Sequence, residues 1–298
     1  MRFSLAETMC DPAQYAPLAR AAEEAGFHAY TLPDSIAYPE VSDSKYPYTP
    51  DGNRQFLEDK PFIDPFCLAS MLGVVTQRLR FHTFVVKLPI RHPVLTAKQL
   101  ASVAALTGDR FSLGVGLSPW PEDFRLTGVA WEGRGKRMDE MIAIIRGLLR
   151  GGFFRFQGEC FDIESIKICP TPARPVPILI GGHSDAALRR AAALGDGWMH
   201  AGGDAAEMAK MIATLHALRR EYGREKEPFE IHVISMDAYS EDGVRRLEDI
   251  GVTDAIVGFR KAYEADRMPL EKKLSSIRRF GETIIARTAA SSSPATVT

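Results

Sequence analysis

Short runs of consecutive apolar residues alternate along this chain with longer stretches whose apolar positions recur every three or four residues. The first kind reads as a strand buried on both faces, the second as a helix with one buried stripe. Strands are predicted at Arg2 to Leu5, Ala29 to Leu32, Arg80 to Leu88, Phe111 to Val115, Pro177 to Ile180, Gly197 to Met199, Glu230 to Ser235 and Asp254 to Val257. Each is followed by a helical pattern: from Asp11-Pro12, Phe66 to Thr76, Val94 to Leu106, Lys136 to Leu149, Asp185 to Leu194, Ala205 to Tyr222, Glu241 to Ile250 and Pro269 to Phe280. Aspartate before proline, at Asp11 and Asp64, is a helix start, and glycine after the last apolar position, at Gly26, Gly223 and Gly251, is a helix stop.

Eight βα units in sequence predict a parallel sheet covered by helices. A sheet that closes on itself gives a (β/α)8 TIM barrel; an open doubly wound sheet is the alternative. Two insertions break the rhythm. Ser35 to Ile63, after strand 2, far exceeds the usual βα loop of about two to six residues. It carries Tyr38, Pro39, Tyr46, Pro47, Tyr48 and Pro50. Phe153 to Pro175, before strand 5, has alternating apolar positions that suit a small hairpin. The expected division is one domain over 1–288 and a disordered tail over 289–298, where Ala, Ser, Pro and Thr leave nothing to bury.

The 298 residues, 45% hydrophobic and 25% charged, suit a barrel of roughly 250 residues plus insertions. A formal net charge of −1 gives no electrostatic reason to expect nucleic acid or an anionic membrane. No apolar run reaches the roughly 18 residues of a membrane span. The N-terminus lacks the layout of a signal peptide, so the expected location is cytoplasmic. The four cysteines form no C-x-x-C pair, and no metal-ligand set is recognised.

In a barrel of this kind, function sits at the C-terminal ends of the strands. The strand Ile178-Leu179-Ile180 ends in Gly181-Gly182-His183-Ser184 and then enters a helix. Glycines let a ligand approach the backbone, and the free N–H groups of the helix start offer a phosphate site. A plain tight turn, with Ser184 or Asp185 as cap, explains the same letters. Gly114-Val115-Gly116 lacks the third glycine of a dinucleotide fingerprint, but small residues there leave room for a planar ring beside Leu117 and Ser118. Asp34 directly follows strand 2 and His200 ends strand 6; each is a candidate catalytic group or a structural cap.

Several stretches, taken in order, resemble the luciferase-like monooxygenase superfamily, and within it the actinobacterial oxidoreductases dependent on the deazaflavin coenzyme F420. They include Ala22-Glu23-Glu24-Ala25-Gly26-Phe27, Leu88-Pro89-Ile90-Arg91-His92-Pro93, Gly108-Asp109-Arg110-Phe111-Ser112-Leu113-Gly114-Val115-Gly116, Arg134-Gly135-Lys136-Arg137, Ile180-Gly181-Gly182 and Gly195-Asp196-Gly197-Trp198. The resemblance implies cofactor phosphate at Gly181, Gly182, His183 and Ser184. It implies a non-proline cis peptide within Thr83-Phe84-Val85-Val86 behind the ring, Asp34 near the ring, and Gly116, Leu117 and Ser118 along its border. The Tyr/Pro loop becomes a lid. Two departures stand out: Ser35 replaces a histidine used by many F420 enzymes for proton transfer, and Phe84 stands where glycine is common.

The expected activity is hydride exchange between F420 and a small organic substrate, with Asp34, Ser35 and His200 as catalytic candidates. The alternatives are an FMN-dependent two-component monooxygenase fed by a reductase partner, and a flavin-binding barrel without turnover. Family practice implies a homodimer.

Overall fold

A computed structural model describes residues 1–46, 49 and 51–291. Eight parallel strands close into a barrel: β1 (Arg2–Leu5), β2 (Ala29–Leu32), β3 (Arg80–Thr83, resumed at Val86–Lys87), β4 (Phe111–Gly116), β5 (Ile178–Gly181), β6 (Gly197–His200), β7 (Glu230–Val233) and β8 (Asp254–Val257). Closure is made by β1 against β8, with Arg2 opposite Asp254 and Leu5 opposite Val257. The open-sheet alternative is thereby set aside. The outer helices are α1 (Tyr15–Glu24), α2 (Pro65–Val75), α3 (Pro93–Thr107), α4 (Arg134–Leu149), α5 (Asp185–Leu194), α6 (Ala205–Glu221), α7 (Glu241–Asp249) and α8 (Leu270–Phe280).

The local chemistry follows the letters. Asp64 caps α2 by accepting from the amides of Phe66 and Cys67, with Pro65 in the first turn. Gly26 closes the α1 end at φ +87°, a conformation that strains other residues. Long β3 is interrupted rather than continuous. After Thr83 the peptide Phe84–Val85 is cis, and pairing resumes with Val86 opposite Val115 and Lys87 opposite Gly116.

Two insertions leave the barrel. The described residues between β2 and α2 form a long loop that includes a 3-10 turn, Gln55–Leu57; Pro47, Tyr48 and Pro50 of the Tyr/Pro loop lie outside the described residues. A hairpin, Phe154–Gln157 paired antiparallel with Asp162–Ile166, precedes β5. The short helix Pro121–Thr127 was not among the expected elements. Past α8 the chain continues through a π-helical turn, Gly281–Ile285, into the helix Ala286–Ser291. Helix therefore extends into the first residues of the expected tail, and 292–298 lie outside the described residues.

One large apolar core fills the space between strands and helices. Inside the barrel a small second core, Leu179, Met199 and Ile256, sits under the C-terminal mouth with Ala6, Phe84 and Val85. Alternation along each strand places Arg2 and Asp254 on that same inner side, one layer lower. There Arg2 donates to Asp254 Oδ2 at 2.6 Å and lies 3.0 Å from Glu230, while His232 Nε2 is 2.8 Å from Glu230 Oε2. Glu230, His232 and Asp254 bring three potential ligand atoms within 4.8 Å of one another, but the Arg2 guanidinium already pairs with both carboxylates. The lower lumen is thus an ion-pair plug, and the mouth above it is apolar.

Candidate cofactor site at the barrel mouth

The floor of the mouth is built around Val85. An ideal Cβ placed on Gly116 would lie 2.8 Å from Val85 Cγ2, and one on Gly181 would lie 3.0 Å from Val85 Cγ1. Val85 is therefore seated between two strands that must be side-chain-free where they meet it. One level down, a Cβ on Gly114 would fall 1.9 Å from the Thr83 carbonyl, and the Thr83 hydroxyl donates to the Gly114 carbonyl at 2.6 Å. Phe84 packs with the inner core. The sequence candidates Thr83, Phe84, Val85, Gly116 and Gly181 are thus brought together by β3, β4 and β5.

From Gly181 the chain turns outward. Gly182 has φ +121°, and a Cβ there would meet Ala187 at 2.9 Å, so glycine is required on both counts. Its carbonyl accepts from Trp198 Nε1 at 2.8 Å. Ser184, not Asp185, caps α5, its hydroxyl accepting from Ala187 N at 3.3 Å. The remaining first-turn amides have no partner within the helix and point outward with its positive end. An anion would be held by backbone donors here; Asp185, in the same turn and exposed, opposes one.

His183 and His200 stack with ring centroids 4.3 Å apart and planes 14° from parallel. His183 Nε2 accepts from Ala201 N at 3.1 Å, and His200 Nδ1 accepts from Gly202 N at 3.2 Å. Burial, with His183 alongside, pushes His200 down to about 4. It is neutral at neutral pH with its proton on Nε2, a platform and donor rather than an effective base.

The Asp34 side chain is nearly buried and already engaged. Its Oδ1 accepts from Arg91 at 2.8 Å and its Oδ2 from the Lys87 amide at 3.0 Å. It therefore clamps β2 to the resumed part of β3. Ser35 continues past it to the wall of a cleft of about 140 Å³ that also includes Tyr38, Arg54, Phe62, Trp120 and Asp123. Ser118 is buried and donates to Asp123 at 2.5 Å, whereas Leu117 is exposed. Over this cleft lies an aromatic group from three loops: Tyr46 stacks on Trp120 at 5.9 Å and meets Phe56 and Tyr263 edge-on. Arg54 lies over both Tyr38 and Trp120.

Three charged groups at the mouth were missed by sequence reasoning. Glu7, fully buried after β1, accepts from Phe259 N at 2.6 Å and lies 3.3 Å from Arg260. Burial raises its carboxyl, with that amide and Arg260 pulling the other way. Lys87 and Asp123 form a buried pair at 2.8 Å. Glu7 follows an apolar strand and Asp123 lies in the first turn of a helix at the C-terminal face, whereas Lys87 is hidden inside the predicted strand Arg80 to Leu88. Glu122 is held below the ordinary value: burial raises it, but Ser42 and Ser44 hydroxyls outweigh that.

Comparison with known proteins places this geometry in context. The profile of the luciferase-like monooxygenase family matches residues 4–296. An uncharacterised protein of Mycobacterium tuberculosis is 58% identical over 289 residues, covering 96% of this chain and all of the relative. An F420-dependent glucose-6-phosphate dehydrogenase of Nakamurella multipartita is 30% identical over 282 residues, covering 89% of this chain and 78% of the relative. Among solved structures, a monooxygenase from Streptomyces bottropensis superposes with a TM-score of 0.75 at 18% identity, over 96% of this chain and 99% of that one.

Proposed function

Since the chain belongs to the luciferase-like monooxygenase family, we propose that this oxidoreductase binds coenzyme F420 at the barrel mouth and exchanges a hydride with a small organic substrate. The observation that carries the reading is the pair of side-chain-free strand ends, Gly116 and Gly181, that flank Val85, with Gly181 continuing directly into the Gly182 turn and the start of α5. The residues fit a flat ring joined to a phosphate: Phe84, Val85, Gly116 and Gly181 would lie under the ring, and Gly182, His183 and Ser184 would hold the phosphate. When bound, the deazaflavin supplies hydride chemistry, and the protein supplies orientation and a water-poor mouth. The named dehydrogenase relative supports F420 over flavin.

Asp34 acts through position in this reading. By tying β2 to Lys87 it holds the resumed segment of β3, and Ser35 beside it faces the cleft. The aromatic group of Tyr46, Phe56, Trp120 and Tyr263 closes the substrate side against water. FMN in a two-component monooxygenase, with reduced flavin supplied by a reductase, is the second reading; the family description and the monooxygenase neighbour favour it.

We further propose a homodimer formed through α2 and α3. Helix α2 carries no charged residue, and its Cys67, Met71 and Val74 are exposed, beside the exposed Leu95 and Leu106 of the adjoining α3. Large apolar side chains left exposed on two adjoining helices support an interface there. No helix among the described residues is long and apolar enough to cross a membrane.

The direct test is Gly182→Asp compared with Gly182→Ala. Both share the backbone strain at φ +121°. Only the aspartate adds a negative charge at the proposed phosphate turn. The expected outcome is a loss of F420 affinity of tenfold or more, about 1.4 kcal/mol, for the aspartate beyond that of the alanine. Equal affinities in two folded variants would remove the phosphate from this turn.

A further inference from the structure

Two cations line the cleft beside Ser35, and neither is spent on a carboxylate. The cleft, about 140 Å³, has Arg54, Glu58, Lys60 and Asp123 as the charged side chains of its wall. Asp123 is already compensated: Lys87 Nζ lies 2.8 Å from its Oδ2, and Ser118 donates to it at 2.5 Å. Glu58 is exposed to water. Arg54 and Lys60 are half-buried. Among the described residues each donates only to a backbone carbonyl, Arg54 Nη2 to Pro39 at 3.0 Å and Lys60 Nζ to Glu264. Burial, with Arg260 nearby, pushes the Lys60 ammonium below its ordinary value, against the opposite pull of Asp266. The cleft therefore carries positive charge that the protein itself leaves unbalanced.

Arg54 is also held in place. Its Cζ lies 4.9 Å from the centre of the Tyr38 ring and 5.8 Å from that of Trp120. A guanidinium offers five N–H donors in a planar fork that matches a carboxylate edge. With the Pro39 carbonyl and two rings fixing that plane, little freedom is left to lose when an anion arrives. The rest of the wall includes apolar Ile36, Leu57 and Phe62. A cavity of roughly 150 Å³ admits benzene. The space thus suits a short carbon skeleton with one compact charged head.

We propose that this cleft binds the substrate by a carboxylate, gripped by Arg54 with Lys60 as a second positive charge, and that the substrate is a small organic acid with a short apolar skeleton. This rests on the reading of the mouth as a cofactor site and deepens it by naming the substrate class. Arg54 is a specificity residue: it selects by charge. It belongs to the insertion after β2, whereas the ring and phosphate candidates belong to β3, β4, β5 and the turn after β5. Substrate recognition and cofactor binding are therefore separable by mutation.

The test is isothermal titration calorimetry at low salt with pentanoate, pentanamide and pentyl phosphate, on protein with and without saturating F420. Wild-type protein binds pentanoate at least tenfold more tightly than pentanamide, and F420 changes that affinity by less than about threefold, because the two occupy different places. Arg54→Met lowers pentanoate affinity to the level of the amide while F420 affinity stays within about twofold. Arg54→Lys keeps the charge but loses the planar fork, so the preference for pentanoate shrinks without vanishing. That variant decides by the same ratio if the methionine variant does not fold. No measurable pentanoate binding by wild-type protein overturns the proposal. So do equal affinities for acid and amide, tighter binding of pentyl phosphate, or a wild-type preference in the Arg54 variants. Displacement of pentanoate by F420 overturns it too, since the acid would then lie in the cofactor site. Failure of F420 itself to bind contradicts the cofactor reading alone, and the acid-to-amide ratio on cofactor-free protein still decides whether Arg54 selects a carboxylate.

Discussion

Single residues at the mouth show how little freedom the site leaves. Gly114→Ala drives a methyl against the rigid Thr83 carbonyl, whereas Gly116→Ala meets only side-chain atoms of Val85. Overpacking of this kind costs about 1–3 kcal/mol where side chains can yield, and more where they cannot. Urea unfolding should therefore rank Gly114→Ala as clearly the more damaging, and Val85→Ala should relieve Gly116→Ala but not Gly114→Ala. Equal losses would mean that the strands spread to accept both. Histidine 200 makes the site acid-sensitive. Its folded value is about 4 against an ordinary 6.5. Between those values the unfolded chain takes a proton that the folded chain refuses, so the stability it contributes is complete above 6.5 and is lost as pH falls toward 4. Unfolding free energies across that window should slope downward with acid, and His200→Gln should flatten the slope; an unchanged slope would assign it elsewhere.

At the scale of elements, every barrel strand and outer helix could be read from apolar periodicity and caps. Asp64→Ala should remove about 1 kcal/mol, the usual value of a lost N-cap, detectable as a lowered urea midpoint. What escaped the sequence has identifiable causes. β3 reads as one continuous run because Phe84 and Val85 are as apolar as their neighbours, although pairing breaks there. The helix Pro121–Thr127 had its signals in Pro121, acidic Glu122 and Asp123, and left-handed Gly128, but it is too short to show periodicity. At Gly281 the glycine is needed for close approach, since a Cβ would lie 2.5 Å from the Ala25 carbonyl, and helical structure runs on through it. The glycines of the site were legible as a side-chain-free strand end, although a plain tight turn explained Gly181-Gly182 equally well. Lys87 and Asp123 were not, because they are thirty-six positions apart and only the β3–β4 pairing and the short helix bring them within 2.8 Å.

For the whole molecule, the barrel interior changes character along its axis. The lower lumen is tied by Arg2, Glu230, His232 and Asp254, and the upper lumen is apolar under a glycine floor. Arg2→Ala strands the fully buried Asp254; because Arg2 is itself more than a third exposed, the loss should fall at the low end of the about 3–5 kcal/mol for breaking a buried pair. F420 binding by the folded variant should be unaffected. The outer face of α2 and α3 is expected to join two copies, so Val74→Asp should convert the dimer to a monomer by sedimentation velocity; a monomeric wild-type protein would contradict that assembly.

The central claim is that the mouth is built for a deazaflavin. Purified wild-type protein titrated in parallel with oxidised F420 and with FMN, followed by intrinsic tryptophan fluorescence, tests it most directly, since Trp198 is hydrogen-bonded to the carbonyl of Gly182 in the proposed phosphate turn. The account predicts saturable quenching by F420 at concentrations at least tenfold below those needed for FMN. Tighter binding of FMN would move the protein to the monooxygenase reading, and binding of neither would contradict the cofactor site itself.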